Sequence, residues 1–138
     1  MIIYNLQVKK WICFLCIVAV AALFNAKTVF AADLVSGHYI SSSGKTIELA
    51  IDIQSPSPAS LIIEQYLPPG TKIASSQPKL KKYDIKKGKA KWLLKNVRSG
   101  KMIVKLKLVD KIGKGNVRAL LRCKDPATGG FIEKTVTP

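Results

Sequence analysis

Residues 89–110, KAKWLLKNVRSGKMIVKLKLVD, hold the pattern that decides the fold. Ala90, Trp92 and Leu94 alternate with Lys89, Lys91 and Lys95. After a break at residues 96 to 100, Met102, Val104, Leu106 and Leu108 alternate with Lys101, Lys105 and Lys107. A period of two sends successive side chains to opposite faces of an extended chain, so each run reads as a strand with an apolar inner row and a lysine outer row. Leu93, Ile103 and Val109 fall on the outer rows, which are therefore mixed rather than purely polar. Taken as adjacent, the two strands bring Lys89, Lys91, Lys95, Lys105 and Lys107 onto one face.

The same period appears on both sides of this stretch. In residues 46 to 54, Ile47, Leu49, Ile51 and Ile53 oppose Glu48, Ala50, Asp52 and Gln54. Pro56 and Pro58 end that strand, and residues 61 to 66 form the next. Pro68-Pro69-Gly70 predicts a turn, residues 71 to 75 a short strand, and Gly88 the tip of a loop or short hairpin. Towards the C-terminus Val117, Ala119, Leu121 and Cys123 alternate with Arg118, Leu120, Arg122 and Lys124; a turn at residues 125 to 130 leads to a last strand at 131 to 136. Short strands between Pro/Gly turns, with no convincing amphipathic helix among them, predict an all-β immunoglobulin-like antiparallel β-sandwich over residues 46–138. A small antiparallel barrel is the alternative.

The N-terminus has a different character. Lys9 and Lys10 precede fourteen uncharged, mostly apolar residues, Trp11 to Phe24, and small residues follow at Ala31 and Ala32. A basic start, an apolar middle shorter than the roughly 20 residues of a spanning helix, and a small-residue cleavage site predict a cleavable signal peptide helix over residues 1–31. An uncleaved anchor is the other reading of the same residues. Residues 32–45 form an N-terminal segment before the domain. Cleavage removes Cys13 and Cys16, leaving Cys123 as a buried inert thiol or an intermolecular bridge. The expected localisation is secreted, periplasmic or cell surface.

The full chain of 138 residues carries a net charge of +15, of which +12 stays with residues 32–138. Residues 72 to 114 hold fifteen bases against Asp84 and Asp110, a local +13. The candidate binding residues are accordingly Lys79, Lys81, Lys82, Lys86, Lys87, Lys89, Lys91, Lys95, Lys105 and Lys107, a polyanion-binding face. Tyr83, set among these lysines, is placed either to stack on a base or sugar ring or to fold back as an anchor. Lysine with little arginine suits diffuse attachment better than shaped phosphate recognition, so the expected partner is an acidic polymer or acidic protein surface, without sequence-specific nucleic-acid reading. The bland reading is a solvated lysine face that keeps a β protein soluble.

Three groups of residues are similar as a set to a known family: Tyr66-Leu67-Pro68-Pro69-Gly70-Thr71, Gly88-Lys89-Ala90-Lys91-Trp92, and Val97-Arg98-Ser99-Gly100 before a long alternating strand. They resemble an immunoglobulin-like repeat domain of bacterial and archaeal surface proteins, over roughly residues 46 to 110. The resemblance implies a secreted structural or adhesive module and carries no catalytic residue. The chain departs from that pattern in its lysine load.

Catalytic chemistry needs a nucleophile with a base, paired carboxylates or a metal. His38 is the sole histidine, with no patterned metal partner, and a dyad with Cys123 is the one arrangement the sequence leaves open. Trp92 belongs to the inner row and reads as core rather than as a ligand platform. No cofactor, metal or enzymatic activity is expected. The leading functional expectation is a non-enzymatic exported domain that binds an acidic surface or partner; the alternative is a structural component of an envelope or extracellular assembly, with the charge incidental.

Overall fold

A computed structural model describes residues 33–138. The signal peptide read from residues 1 to 31 lies outside them. The described chain is all-β and contains no helix. Its strands are β1 (Val35–Ser41), β2 (Gly44–Ile53), β3 (Ser60–Tyr66), β4 (Ile73–Gln77), β5 (Lys82–Asp84), β6 (Lys89–Lys95), β7 (Gly100–Ile112), β8 (Arg118–Lys124) and β9 (Phe131–Val136). They form two antiparallel sheets, one of four strands in the order β1-β2-β7-β4 and one of five in the order β5-β6-β3-β8-β9. The alternative of one closed barrel is not formed.

The inner rows predicted from alternation meet in one core. Ile47, Leu49, Ile51, Val104 and Leu106 from the four-stranded sheet join Leu61, Ile63, Ala90, Trp92, Ala119 and Leu121 from the five-stranded sheet. Removal of this apolar surface from water is the main force holding the sheets face to face. A polar tie crosses the core: Tyr39 on β1 donates its hydroxyl to Gln65 Oε1 on β3 at 2.9 Å, and Gln65 Nε2 donates to the carbonyls of Tyr66 and Arg118. Burial pushes the Tyr39 phenol up to about 12, more than the Gln65 contact lowers it.

Two expectations need correcting. Of the N-terminal segment expected at residues 32–45, Val35–Ser41 belongs to the sandwich as β1, which pairs along β2 from Val35↔Ile53 to Ser41↔Glu48. The strand escapes a periodicity reading because Gly37 stands in its inner row. A Cβ there would lie 3.1 Å from Val136 Cγ2 and 3.3 Å from Leu121 Cδ1, so close approach of the sheets favours the missing side chain. The second correction concerns β6 and β7, which are not neighbours. β6 pairs with β3 and β5, whereas β7 pairs with β2 and β4 in the other sheet. The link at residues 96–99 crosses the sandwich instead of folding back as a hairpin, with Asn96 at φ 53 and its N–H held by the Ala59 carbonyl at 3.0 Å.

Candidate functional site

The split between sheets divides the lysines. Lys105 and Lys107 point outward from the four-stranded sheet and cannot share a face with Lys89, Lys91 and Lys95, which point outward from the five-stranded sheet. On the four-stranded sheet two of the outward lysines lie opposite acids, whereas Lys107 lies opposite Thr46. Lys105 lies opposite Glu48 and bridges it at 2.9 Å, and Lys101 lies opposite Asp52.

The basic face belongs to the five-stranded sheet. Its outward row on β6 is Lys89, Lys91, Leu93 and Lys95, and that on β8 is Arg118, Leu120, Arg122 and Lys124, so each row is basic apart from one leucine. Both strands flank β3, so two cationic rails run about 9.5 Å apart, twice the strand spacing, on either side of a central trough. Lys82 on β5 lies directly opposite Lys91, a like-charge pair of the kind that destabilises a sheet. Lys79 and Lys81, exposed in the β4–β5 connection, and Lys86 and Lys87, exposed in the β5–β6 turn, extend the charge beyond the sheet edge. Asp84 holds that turn by accepting the backbone N–H groups of Lys86 and Lys87 at 3.1 and 3.2 Å.

Arg118, Arg122 and Lys124 were not among the residues assigned to the face from sequence. Their outward alternation was legible, but nothing local says that β8 lies two strands from β6. Tyr83 takes the anchoring role. It packs against the core and donates its hydroxyl to the Thr71 carbonyl, which turns the ring away from the basic face.

The trough contains a residue that the sequence reading passed over. Glu64 sits on the outer side of β3 and is 1% exposed. Lys89 Nζ stands 3.2 Å and Arg122 Nη1 3.6 Å from its Oε1, and Tyr66 donates its hydroxyl to Oε2 at 3.0 Å. Arg122 also bridges Glu133 at 2.9 Å. The Arg118 guanidinium lies 4.0 Å from the Tyr66 ring centroid, a cation–π contact that holds the β8 rail against β3. Burial pushes the Glu64 carboxyl up, but the Tyr66 hydrogen bond and the Lys89 and Arg122 charges together outweigh it and hold it below its ordinary 4.5. Its cover is made of long cationic side chains, so the groups that exclude water also supply the compensating charge.

A carboxyl whose folded pKa is depressed contributes stability that is fully present above its unfolded pKa and is lost as pH falls through the folded value. Glu64→Gln is therefore expected to cost about 1–2 kcal/mol in urea unfolding near neutral pH. The gap from the native chain should close as pH drops below about 4.5. The same substitution should strengthen retention on an anionic matrix, because Lys89 and Arg122 lose their internal counter-charge. A gap that persists undiminished in acid would remove the Glu64 charge from the explanation.

His38 and Cys123 do not form a dyad. His38 is exposed on the outer side of β1, whereas Cys123 is buried on the inner side of β8 in the opposite sheet. Burial, and secondarily the Asp125 charge, push the Cys123 thiol up, away from the reactive thiolate. Among the described residues no cluster of His, Cys, Asp and Glu is arranged to hold a metal ion. Comparisons with protein-family models, curated proteins and solved structures return no match.

Proposed function

We propose that this chain is a non-enzymatic, exported, immunoglobulin-like binding domain whose five-stranded sheet engages an acidic surface or partner. The observation that supports it is the pair of cationic rails on β6 and β8, carried at the expense of like-charge neighbours such as Lys82 and Lys91. Attraction of this kind is long-ranged and screened by salt. Lys105 and Lys107 take no part in this reading.

The experiment compares two variants of equal charge change on heparin and on polyglutamate. Neutralising Lys82, Lys91 and Lys95 together to Gln is expected to weaken binding by about tenfold or more and to flatten its salt dependence. Neutralising Lys101, Lys105 and Lys107 together is expected to leave most of the affinity. Weak retention of the native chain at low salt, or equal loss in both variants, would sink the proposal.

A second reading has its own observation. β1 and β9 are each paired on one side only, so one flank of the sandwich presents strand edges. Docking of an assembly partner along them is the alternative, and a discrete crosslinked protein that survives high salt would favour it.

A further inference from the structure

The basic trough ends at the β8–β9 hairpin in a depression of about 520 Å³ whose lining includes Ser60, Ile62, Lys124, Phe131 and Ile132. Phe131 is 89% exposed, far more than the other exposed large apolar residues. It is nonetheless well placed. The hairpin behind it is closed by Asp125 N–H donating to the Gly130 carbonyl, by Gly129 N–H donating to the Asp125 carbonyl, and by Ala127 N–H donating to Asp125 Oδ1. Phe131 then pairs in register with Lys124 on β8. The hairpin backbone thus fixes where an exposed aromatic residue enters the depression it lines together with Ile62 and Ile132, an apolar element at the end of a charged track.

The charges around it are mixed. Lys124 lines the depression, Lys95 lies opposite Ser60, and Arg122 is held between Glu64 and Glu133. With Arg122 and Glu133 paired, Lys124 supplies the net positive charge of the lining, little for a uniformly anionic polymer, while the apolar walls leave sugar hydroxyl groups unmatched. A polypeptide that carries an apolar side chain next to carboxylates satisfies both features. Its side chain fills the depression, and its acids meet Lys95, Lys124 and the rails beyond.

Resting on the anionic-partner reading above, we infer that the partner is an acidic protein segment, with an aliphatic or aromatic side chain seated against Phe131 and Ile62. The rails supply salt-sensitive attraction, and the depression supplies a salt-resistant increment and the register. Buried apolar anchors carry a disproportionate share of affinity at such interfaces.

The test uses the full chain and two synthetic glutamate-rich peptides that differ at one central position, Leu in one and Ser in the other. At roughly 150 mM salt, where surface charge is partly screened, the Leu peptide is expected to bind about tenfold more tightly than the Ser peptide. Phe131→Ala should abolish that difference while leaving the Ser peptide unchanged. The Phe131 ring packs on little, so folding is not at issue, and a circular dichroism melt checks it. Equal binding of the two peptides, or a Leu advantage that survives Phe131→Ala, overturns the inference while leaving the charged face standing. A sulfated oligosaccharide that binds better than both peptides and loses affinity in Phe131→Ala also overturns it, in favour of a sugar partner. Failure of every anion to bind the native chain even at low salt overturns both readings together.

Discussion

Gly88→Ala is expected to destabilise the domain by about 3 kcal/mol or more, a loss of the size reserved for strained backbone and direct steric conflict. Two effects add at this position. Gly88 has φ 64, in the left-handed region, and a Cβ built on it would lie 2.1 Å from the Leu67 carbonyl oxygen and 2.9 Å from its carbon. Both atoms are backbone and cannot swing aside as a flexible side chain does. The contact is tight because the two turns are laced together: Leu67 N–H donates to the Gly88 carbonyl at 2.7 Å, and Gly70 N–H donates to the Ile85 carbonyl at 2.7 Å. Pushing Gly88 away breaks the first of these bonds at the base of the β5–β6 hairpin, which also carries Lys86, Lys87 and Lys89. Urea unfolding followed by far-ultraviolet circular dichroism measures the loss. A change below about 1 kcal/mol, the range of an ordinary substitution, would mean that the Leu67–Gly70 turn moves freely relative to the hairpin.

Trp92→Ala is expected to cost about 3–5 kcal/mol, the usual range for truncating a buried aromatic. Trp92 is among the largest fully buried side chains of the domain, on the inner row of β6 between Ala90 and Leu94. It does more than fill volume. Its indole Nε1 donates to the Pro78 carbonyl at 2.9 Å, which ties the β4–β5 connection, where the chain passes from one sheet to the other, to the core. Trp92→Phe separates the two contributions. It keeps most of the apolar bulk but leaves the Pro78 carbonyl without this donor, and should cost about 1–3 kcal/mol. Similar losses for the two variants would show that the hydrogen bond outweighs packing at this site.

The rows on which these predictions rest are legible in the sequence. Ile47, Leu49, Ile51 and Ile53, then Ala90 and Trp92, then Val104, Leu106 and Leu108 were read as inward from alternation, and all are buried. The turn read from Pro68-Pro69-Gly70 is there, closed by Thr71 N–H donating to the Pro68 carbonyl at 3.1 Å. The outward placement of Leu93, Ile103 and Val109 also holds, for each is exposed. Alternation succeeds here because it reports a local property, the side of the strand on which a side chain stands.

The candidate site was legible only in part, for the complementary reason. β7 follows β6 in sequence and invites pairing with it, yet its partners are β2 and β4, more than 20 residues away along the chain. Lys105 and Lys107 left the face with it, and Arg118, Arg122 and Lys124 entered it from β8. Glu64 was hidden because one acid in an apolar strand carries no periodic signal; its importance comes from Lys89, Arg122 and Tyr66 converging on it. Phe131 lies in the last strand expected from sequence, and nothing in its neighbours says that its ring would stand in water.

The sequence by itself determined that residues 46 to 136 are a series of short strands, which side chains β2, β6, β7 and β8 turn inward, and that the positive charge is concentrated in residues 72 to 114. Those properties follow from dihedral preference, side-chain period and composition, all of which act within a few residues. Only the tertiary structure decided which strands lie side by side, and hence that the basic face spans β5, β6 and β8 around a buried Glu64. Strand pairing is a long-range choice made by burying inner rows against one another, and many pairings satisfy the same alternation. The charge is a property of the sequence; the face it forms is a property of the fold.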